Sequence, residues 1–349
     1  MRCSTRSPGS FAPTSLSVAS EQPVSGEDSL IARYFRPLAT DPGAFDLGDD
    51  AAILKALGDD IVVTTDAIVE GVHFLPDDPP DTIARKALGV NLSDLAAKGA
   101  SPAGCVLTLA LRAPDDGWLK PFAQALGEDT ARFGCPLLGG DTVSTPGPLM
   151  ISITAFGRVG VGKMVRRSGA KPGDLVVVTG TIGDAALGLD VLKRGAVATA
   201  LADDAAARDV LVGRYRVPQP RTALASAVRD HAHAAMDVSD GLAGDLTKLC
   251  HASGVSATID VARIPLSAVA APLVAGGTVG IEAIVSGGDD YEILCAIPQN
   301  RLETFTRAAG LAGIAVTAIG TVTAGKSVPR FLDAEGRDIA LQRRSYSHF

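Results

Sequence analysis

The sequence predicts an α/β chain of the α+β type, built as two domains in series, and three features carry that prediction. Strand-like apolar runs alternate with segments of helical spacing in both halves, which implies sheets covered by helices. A Gly- and Pro-punctuated stretch, RRSGAKPGD (166–174), separates the halves just before a fresh strand-like run. At 349 residues and 46% hydrophobic content the chain can bury two cores, since domains usually run about 100–200 residues. The chain thus divides into an extension over 1–25, an N-terminal domain over 26–165 and a C-terminal domain over 166–349.

Taken in order, residues 1–25 are rich in Ser, Pro and Thr and lack the continuous apolar core of a signal peptide, so they read as a disordered extension. DIVVTTDAIV reads as a strand. DTIARKALGVNLSDLAAKGA has helical spacing, with Leu88, Leu92 and Leu95 on one stripe and Asn91, Asp94 and Lys98 on an adjacent polar one. CVLTLALR, CPLLGG and LMISITAFGRV are further strands, with the helical GWLKPFAQALGEDTARFG among them. In the second half, LVVVTG passes through a glycine loop into GDAALGLDVLKRG. AAMDVSD then leads into GLAGDLTKLCHASG, whose Leu242, Leu246 and Leu249 keep helical period. The glycines of TGTIGDAAL are explained as well by close helix-to-sheet packing as by phosphate contact. GTVTAGKS (320–327) matches the P-loop pattern, but the VPRFLDAEGRD that follows leaves no room for the helix such a loop needs, so it reads as a hairpin loop.

Composition excludes several functions. A formal charge of −7 argues against a nucleic-acid or anionic-membrane partner, and 4% aromatics leaves little for base stacking. Five scattered cysteines without a CxxC pair indicate neither a disulfide framework nor a zinc site. No window approaches the roughly 18 apolar residues of a membrane span, and a cytoplasmic location is expected.

The chemistry lies in the aspartates. AAMDVSDGL (234–242) turns acidic at Asp237 and Asp240; Ser239 or Asp240 could cap a following helix, but that does not explain Asp237 inside the strand-like run. The arrangement recurs at Asp49 and Asp50, Asp66, Asp94, Asp141, and Asp289 and Asp290. Several apolar runs that each deliver an aspartate suggest convergence on one place. Oxygen donors without His or Cys clusters suit Mg2+ or Mn2+ better than zinc. An acid/base pair would need only two carboxylates, and no EF-hand spacing is present. Carboxylates sharing a pocket repel one another unless protons or cations intervene, and cations give a phosphate ligand somewhere to bind.

These residues, read as a set, resemble the thiamine-monophosphate kinase family, of the superfamily that includes aminoimidazole ribonucleotide synthetase. The matching pieces are GEDSLIARYF, GDDAAIL, TTDAIVEGVHF, KALGVNLSDLAAKGASP, LLGGDT, RRSGAKPGD, TGTIGDAALGL, DVSDGLAGDL, SGGDDYEI and the closing HF, in family order. The resemblance implies the aminoimidazole ribonucleotide synthetase-like fold, with an N-terminal domain that pairs with its twin in a homodimer and a C-terminal α/β domain over the cleft. It implies ATP-dependent phosphorylation of thiamine monophosphate to thiamine diphosphate, assisted by several Mg2+ ions, without a phospho-enzyme. Asp49, Thr64, Thr65, Asp66, Asp94, Asp141, Asp237 and Asp240 match metal ligands, of which Asp66, Asp94, Asp237 and Asp240 are the expected catalytic set. Gly140, Asp141, Arg167 and Ser239 match ATP contacts, and His73 a substrate contact. Asp289 and Arg343 fall at substrate positions but depart from the family, which commonly has Glu at the first and a ring-stacking aromatic at the second. A different acceptor, or a non-catalytic Mg-nucleotide sensor, are the alternatives. Asp66→Asn and Asp94→Asn are each expected to lose turnover far beyond any loss of stability, measured as ADP release beside thermal melting. Near-normal rates in both would contradict the assignment.

Overall fold

The structure, a computed structural model, describes residues 29–47, 52 and 54–345. The expected extension over 1–25, Asp49 and the closing HF lie outside the described residues. In the first half, β1 (Asp60–Val69), α1 (Pro80–Ala97), β2 (Ser101–Leu111), α2 (Asp116–Phe133), β3 (Leu137–Ser144) and β4 (Met150–Val159) follow one another. They build a four-stranded sheet in the order β1-β4-β2-β3. The neighbours of β4 are antiparallel, whereas β2, α2 and β3 form a parallel crossover. Burial along β4 alternates residue by residue, with Ile151, Ile153 and Ala155 turned to the core.

In the second half, β5 (Leu175–Thr179), α3 (Asp184–Leu192), α4 (Ala205–Arg216), β6 (Ala234–Asp237), α5 (Leu242–Ser253), β7 (Ser256–Asp260), β8 (Ile293–Ile297), β9 (Val316–Thr323) and β10 (Arg330–Leu332) contribute the main elements. The six-stranded sheet runs β10-β7-β9-β5-β8-β6. Only β10 and β7 pair in parallel; the remaining ladders are antiparallel, as an α+β domain requires. The P-loop look-alike indeed precedes no helix, but it is not a hairpin either. β7 lies between β9 and β10, so the segment joins strands that are not neighbours.

The long helix α1 positions the site. It packs on β1 and β4 of its own domain and on β6 and β8 of the other. Its last turn, Ala96 and Ala97, shares a core with Val177, Ala235, Ile293 and Cys295 of the second sheet. Asn91 and Ser93 are therefore fully buried, and the polar stripe of Asn91, Asp94 and Lys98 is a wall between domains, not a solvated face. The described cysteines, Cys105, Cys135, Cys250 and Cys295, are free and buried. No helix among the described residues is long and apolar enough to cross a membrane.

α3 lies so close to α4 that a β-carbon added at Gly188 would stand 2.1 Å from the Leu211 carbonyl oxygen. Backbone cannot yield as a side-chain tip can. Gly188→Ala is expected to cost about 1–3 kcal/mol or more, read as a lower urea midpoint at unchanged slope.

Candidate active site

Strand periodicity aims the first set of groups. Along β1, Thr64 and Asp66 share the face toward α1, and the Thr64 hydroxyl donates to the Asp94 carboxylate at 2.5 Å. Asn91, one turn earlier on α1, accepts from the Asp66 backbone N–H at 3.1 Å while its amide donates to the Ala87 carbonyl. Thr65 points to the opposite face, where it accepts from Thr154 at 2.9 Å. Its hydroxyl does not join the acidic group, contrary to the expected ligand set.

The second domain supplies the other side. Asp237 ends β6 in a buried position and accepts from the Ser93 hydroxyl at 2.9 Å. Burial, then Asp94 and Asp245, push its carboxyl well above the usual range, against the opposing pull of Ser93 and Lys98. Lys98 donates to the Ala235 carbonyl at 2.8 Å. Its ammonium is lowered chiefly by burial and sits in the fields of Asp237, Arg167 and Asp94, which brings the exposed Arg167 to the edge of the same group. Neither Ser239 nor Asp240 caps α5. The N-cap is Gly241, at φ 113°, where any side chain would strain the backbone. Asp245, from the first turn, reaches back to accept the Ser239 and Asp240 N–H groups at 3.0 and 2.9 Å, so it fixes the loop that presents Asp240. Lys248 donates to Asp240 at 2.5 Å and to Asp245 at 2.8 Å.

Asp66 and Asp240 both line a cavity of about 450 Å³ between the domains, together with His73, Ser239, Asp289 and Arg343. Asp66 is exposed to solvent within this cleft, where neighbouring protein still displaces part of its water shell. That partial desolvation, then Asp94 and Asp240, raises its carboxyl to about 6. His73 accepts from the Val69 N–H through Nδ1 at 3.0 Å. Asp289 stands at φ 72°, its carboxylate held by Lys86 and the Tyr291 hydroxyl. Arg343 donates from Nε to the Ser345 carbonyl at 2.9 Å, and its own carbonyl accepts from Ser286 at 2.6 Å.

Gly140 and Asp141 are elsewhere. Strand register runs Asp66, Ile153, Leu107, Gly140 across the sheet, three inter-strand steps or about 14 Å. They line a separate cavity of about 210 Å³ with Ile31, Phe35 and Leu138, so Asp141 shares no ion with Asp66 within one chain. Among the described residues no three His, Cys, Asp or Glu side chains close around one point as a ready metal cage. The oxygen-only donors Thr64, Asp66, Asp94, Asp237 and Asp240, among which burial and then neighbouring acids raise the Asp66 and Asp237 carboxyls, still fit a hard divalent cation that completes its shell with water and phosphate oxygens.

The comparisons agree on a family. Residues 48–159 match the model of the AIR synthase related protein N-terminal domain, and 171–332 that of the C-terminal domain. The chain is 45% identical over 324 residues to the thiamine-monophosphate kinase of Caulobacter vibrioides, covering 91% of this chain and 89% of that one. The chain belongs to the thiamine-monophosphate kinase family. Its structure resembles the crystal structure of the thiamine-monophosphate kinase from Stenotrophomonas maltophilia K279a, at 35% identity and TM-score 0.78, over 89% of this chain and 96% of that one. It also resembles AaThiL complexed with AMPPCP and TMP, at 29% identity and TM-score 0.72, over 86% and 91%.

Within this thiamine-monophosphate kinase family member, residue reasoning missed Lys86, Ser93, Tyr215, Asp245 and Lys248, all of which hold a group lining the cleft or the acids behind it. Asp245 and Lys248 carried a signal, since Asp at the first turn of a helix is a recognised partner of free backbone N–H groups. Lys86, although it opens the matching piece KALGVNLSDLAAKGASP, was given no role, and Tyr215 carried no signal, because their partners are distant in sequence.

A raised carboxyl binds its proton more readily in the folded state, so the stability Asp66 contributes is present below about pH 4 and lost as pH rises through about 6. Thermal melts of metal-free protein should therefore fall over that interval. Asp66→Asn should flatten the fall, and Mg2+ at pH 7.5 should restore wild-type stability. An unchanged pH profile in Asp66→Asn would contradict the coupling.

Proposed function

We propose that the protein transfers the γ-phosphoryl group of ATP to the phosphate of thiamine monophosphate, giving thiamine diphosphate and ADP. Family membership supports the reading, and so does the likeness to AaThiL, whose complex holds AMPPCP, a non-hydrolysable relative of ATP, with TMP. The observation that carries it is the meeting of Asp66, Asp94, Asp237 and Asp240, from both domains, beside a cavity of about 450 Å³.

A phosphate monoester has its second pKa near 6, so the acceptor oxygen is largely ionised at neutral pH and needs no strong general base. The barrier is repulsion between two anions. Asp66, Asp94, Asp237 and Asp240, with the Thr64 hydroxyl, would hold Mg2+; such ions neutralise phosphate charge and align donor with acceptor. Arg167 and Ser239 face the nucleotide from the acidic side. His73, Asp289 and Arg343 hold the acceptor in the cleft. Transfer is direct and in line, with no covalent enzyme intermediate. Gly140 and Asp141, on the far sheet edge, serve the nucleotide in a homodimer formed through the N-terminal domain.

The test is ADP release with thiamine monophosphate, thiamine and an aminoimidazole ribonucleotide precursor as rival acceptors. Release with thiamine monophosphate alone, abolished by chelation of Mg2+, is the expected outcome. Equal release with another acceptor, or none at all with purified protein, would overturn the reading.

A further inference from the structure

We propose that Lys86 is a positioning residue for the acceptor, a buried cation that sets the two walls of the cleft against each other and offsets the Asp289 charge. The proposal rests on the phosphoryl-transfer reading above. Lys86 leaves α1 with only 1% of its surface exposed, and its ammonium has three partners. It donates to the His73 carbonyl at 2.8 Å and to Asp289 at 3.2 Å, and it sits 3.8 Å from the centroid of the Tyr215 ring. His73 belongs to the N-terminal domain; Asp289 and Tyr215 belong to the C-terminal one. The Tyr215 hydroxyl also donates to the His73 carbonyl, at 3.2 Å. One ammonium and one phenol thus tie the loop that carries His73 to the domain that carries Asp289.

Two consequences follow for the cavity those residues line. Its width at this end is set by the Lys86 side chain, because both His73 and Asp289 are fixed to the same nitrogen. Its charge is also set there. Asp66, Asp240 and Asp289 face a space that must admit a phosphate monoester, and an uncompensated Asp289 would repel it. The ion pair removes that repulsion while leaving the second carboxylate oxygen with Tyr291.

A purely structural role is a poor account of this lysine. Burying an ammonium is costly, and a whole buried ion pair can often be replaced by apolar side chains without loss of stability, so stability alone does not call for a lysine here. The Asp289 side chain, at 25% exposed, can take water when its partner is removed. Lys86→Met should therefore fold.

The experiment measures KM for thiamine monophosphate and for ATP, kcat and the melting temperature in full-length wild type, Lys86→Met, Lys86→Arg and Tyr215→Phe. Lys86→Met is expected to raise the acceptor KM about tenfold or more while the ATP KM stays within about twofold, with Lys86→Arg recovering part of the loss. Tyr215→Phe keeps the ring and removes one anchor of His73, and should raise the acceptor KM alone by about threefold; this arm decides if Lys86→Met does not fold. An unchanged acceptor KM in active variants, or both KM values rising together with a collapsed melting temperature, overturns the proposal while sparing the parent reading. A wild type that releases no ADP overturns both.

Discussion

The rest of the structure depends on one constraint: α1 has no exposed residue, being covered along its length by the sheet and the helix α2 of its own domain and at its last turn by the sheet of the other. A helix with no solvated face must satisfy each polar side chain locally, because an unpaired buried group costs about 1–3 kcal/mol. α1 and the residue that ends it meet this demand by bonding outward to different elements. Lys86 takes the His73 loop and Asp289, Asn91 takes the backbone of Asp66, Ser93 takes Asp237, and Lys98 takes the end of β6. Satisfying the helix and arranging the acids are therefore the same act, and the domains are joined by the chemistry that lines the cleft between them.

That arrangement concentrates negative charge where folding alone would disperse it. Asp66 and Asp237 are both harder to ionise than free carboxyls, the first in solvent reach and the second fully enclosed. Protein cations answer only part of this. Lys98 is itself weakened by burial, and Lys248 is already shared between Asp240 and Asp245. A divalent ion bound there would relieve the residual field, so local instability and the proposed ligand affinity would have a common origin.

Much of this was legible in the sequence, for reasons that vary by residue. The strand at 60–69 and the helix at 80–97 follow from local pattern, and Asp66, Asp94, Asp237 and Asp240 stood out because acids rarely close apolar runs without cause. Thr65 was excludable on period-two alternation, since Thr64 and Asp66 already shared a face. Asp141 was not, because its distance from Asp66 comes from strand order: β4, last in its domain, inserts between β1 and β2 and leaves β3 at the far edge. The loop after β9 was misread as a hairpin for the same reason, β7 having entered the sheet between its two ends. A lysine in a helix reads as solvated until a second domain covers it, which is why Lys86 was given no role although it opens a matching piece.

The left-handed backbone at Asp289 (φ 72°) and Tyr291 (φ 51°) narrows which residues the loop beside the cleft can accept. Asp, Asn and Gly are at ease there, whereas β-branched residues are not. Substitution in this loop is thus limited by backbone torsion before side-chain chemistry enters. The exposed Arg343 on the same cavity is under no such torsional filter and is fixed instead by hydrogen bonds to Glu282, Ser286 and Ser345.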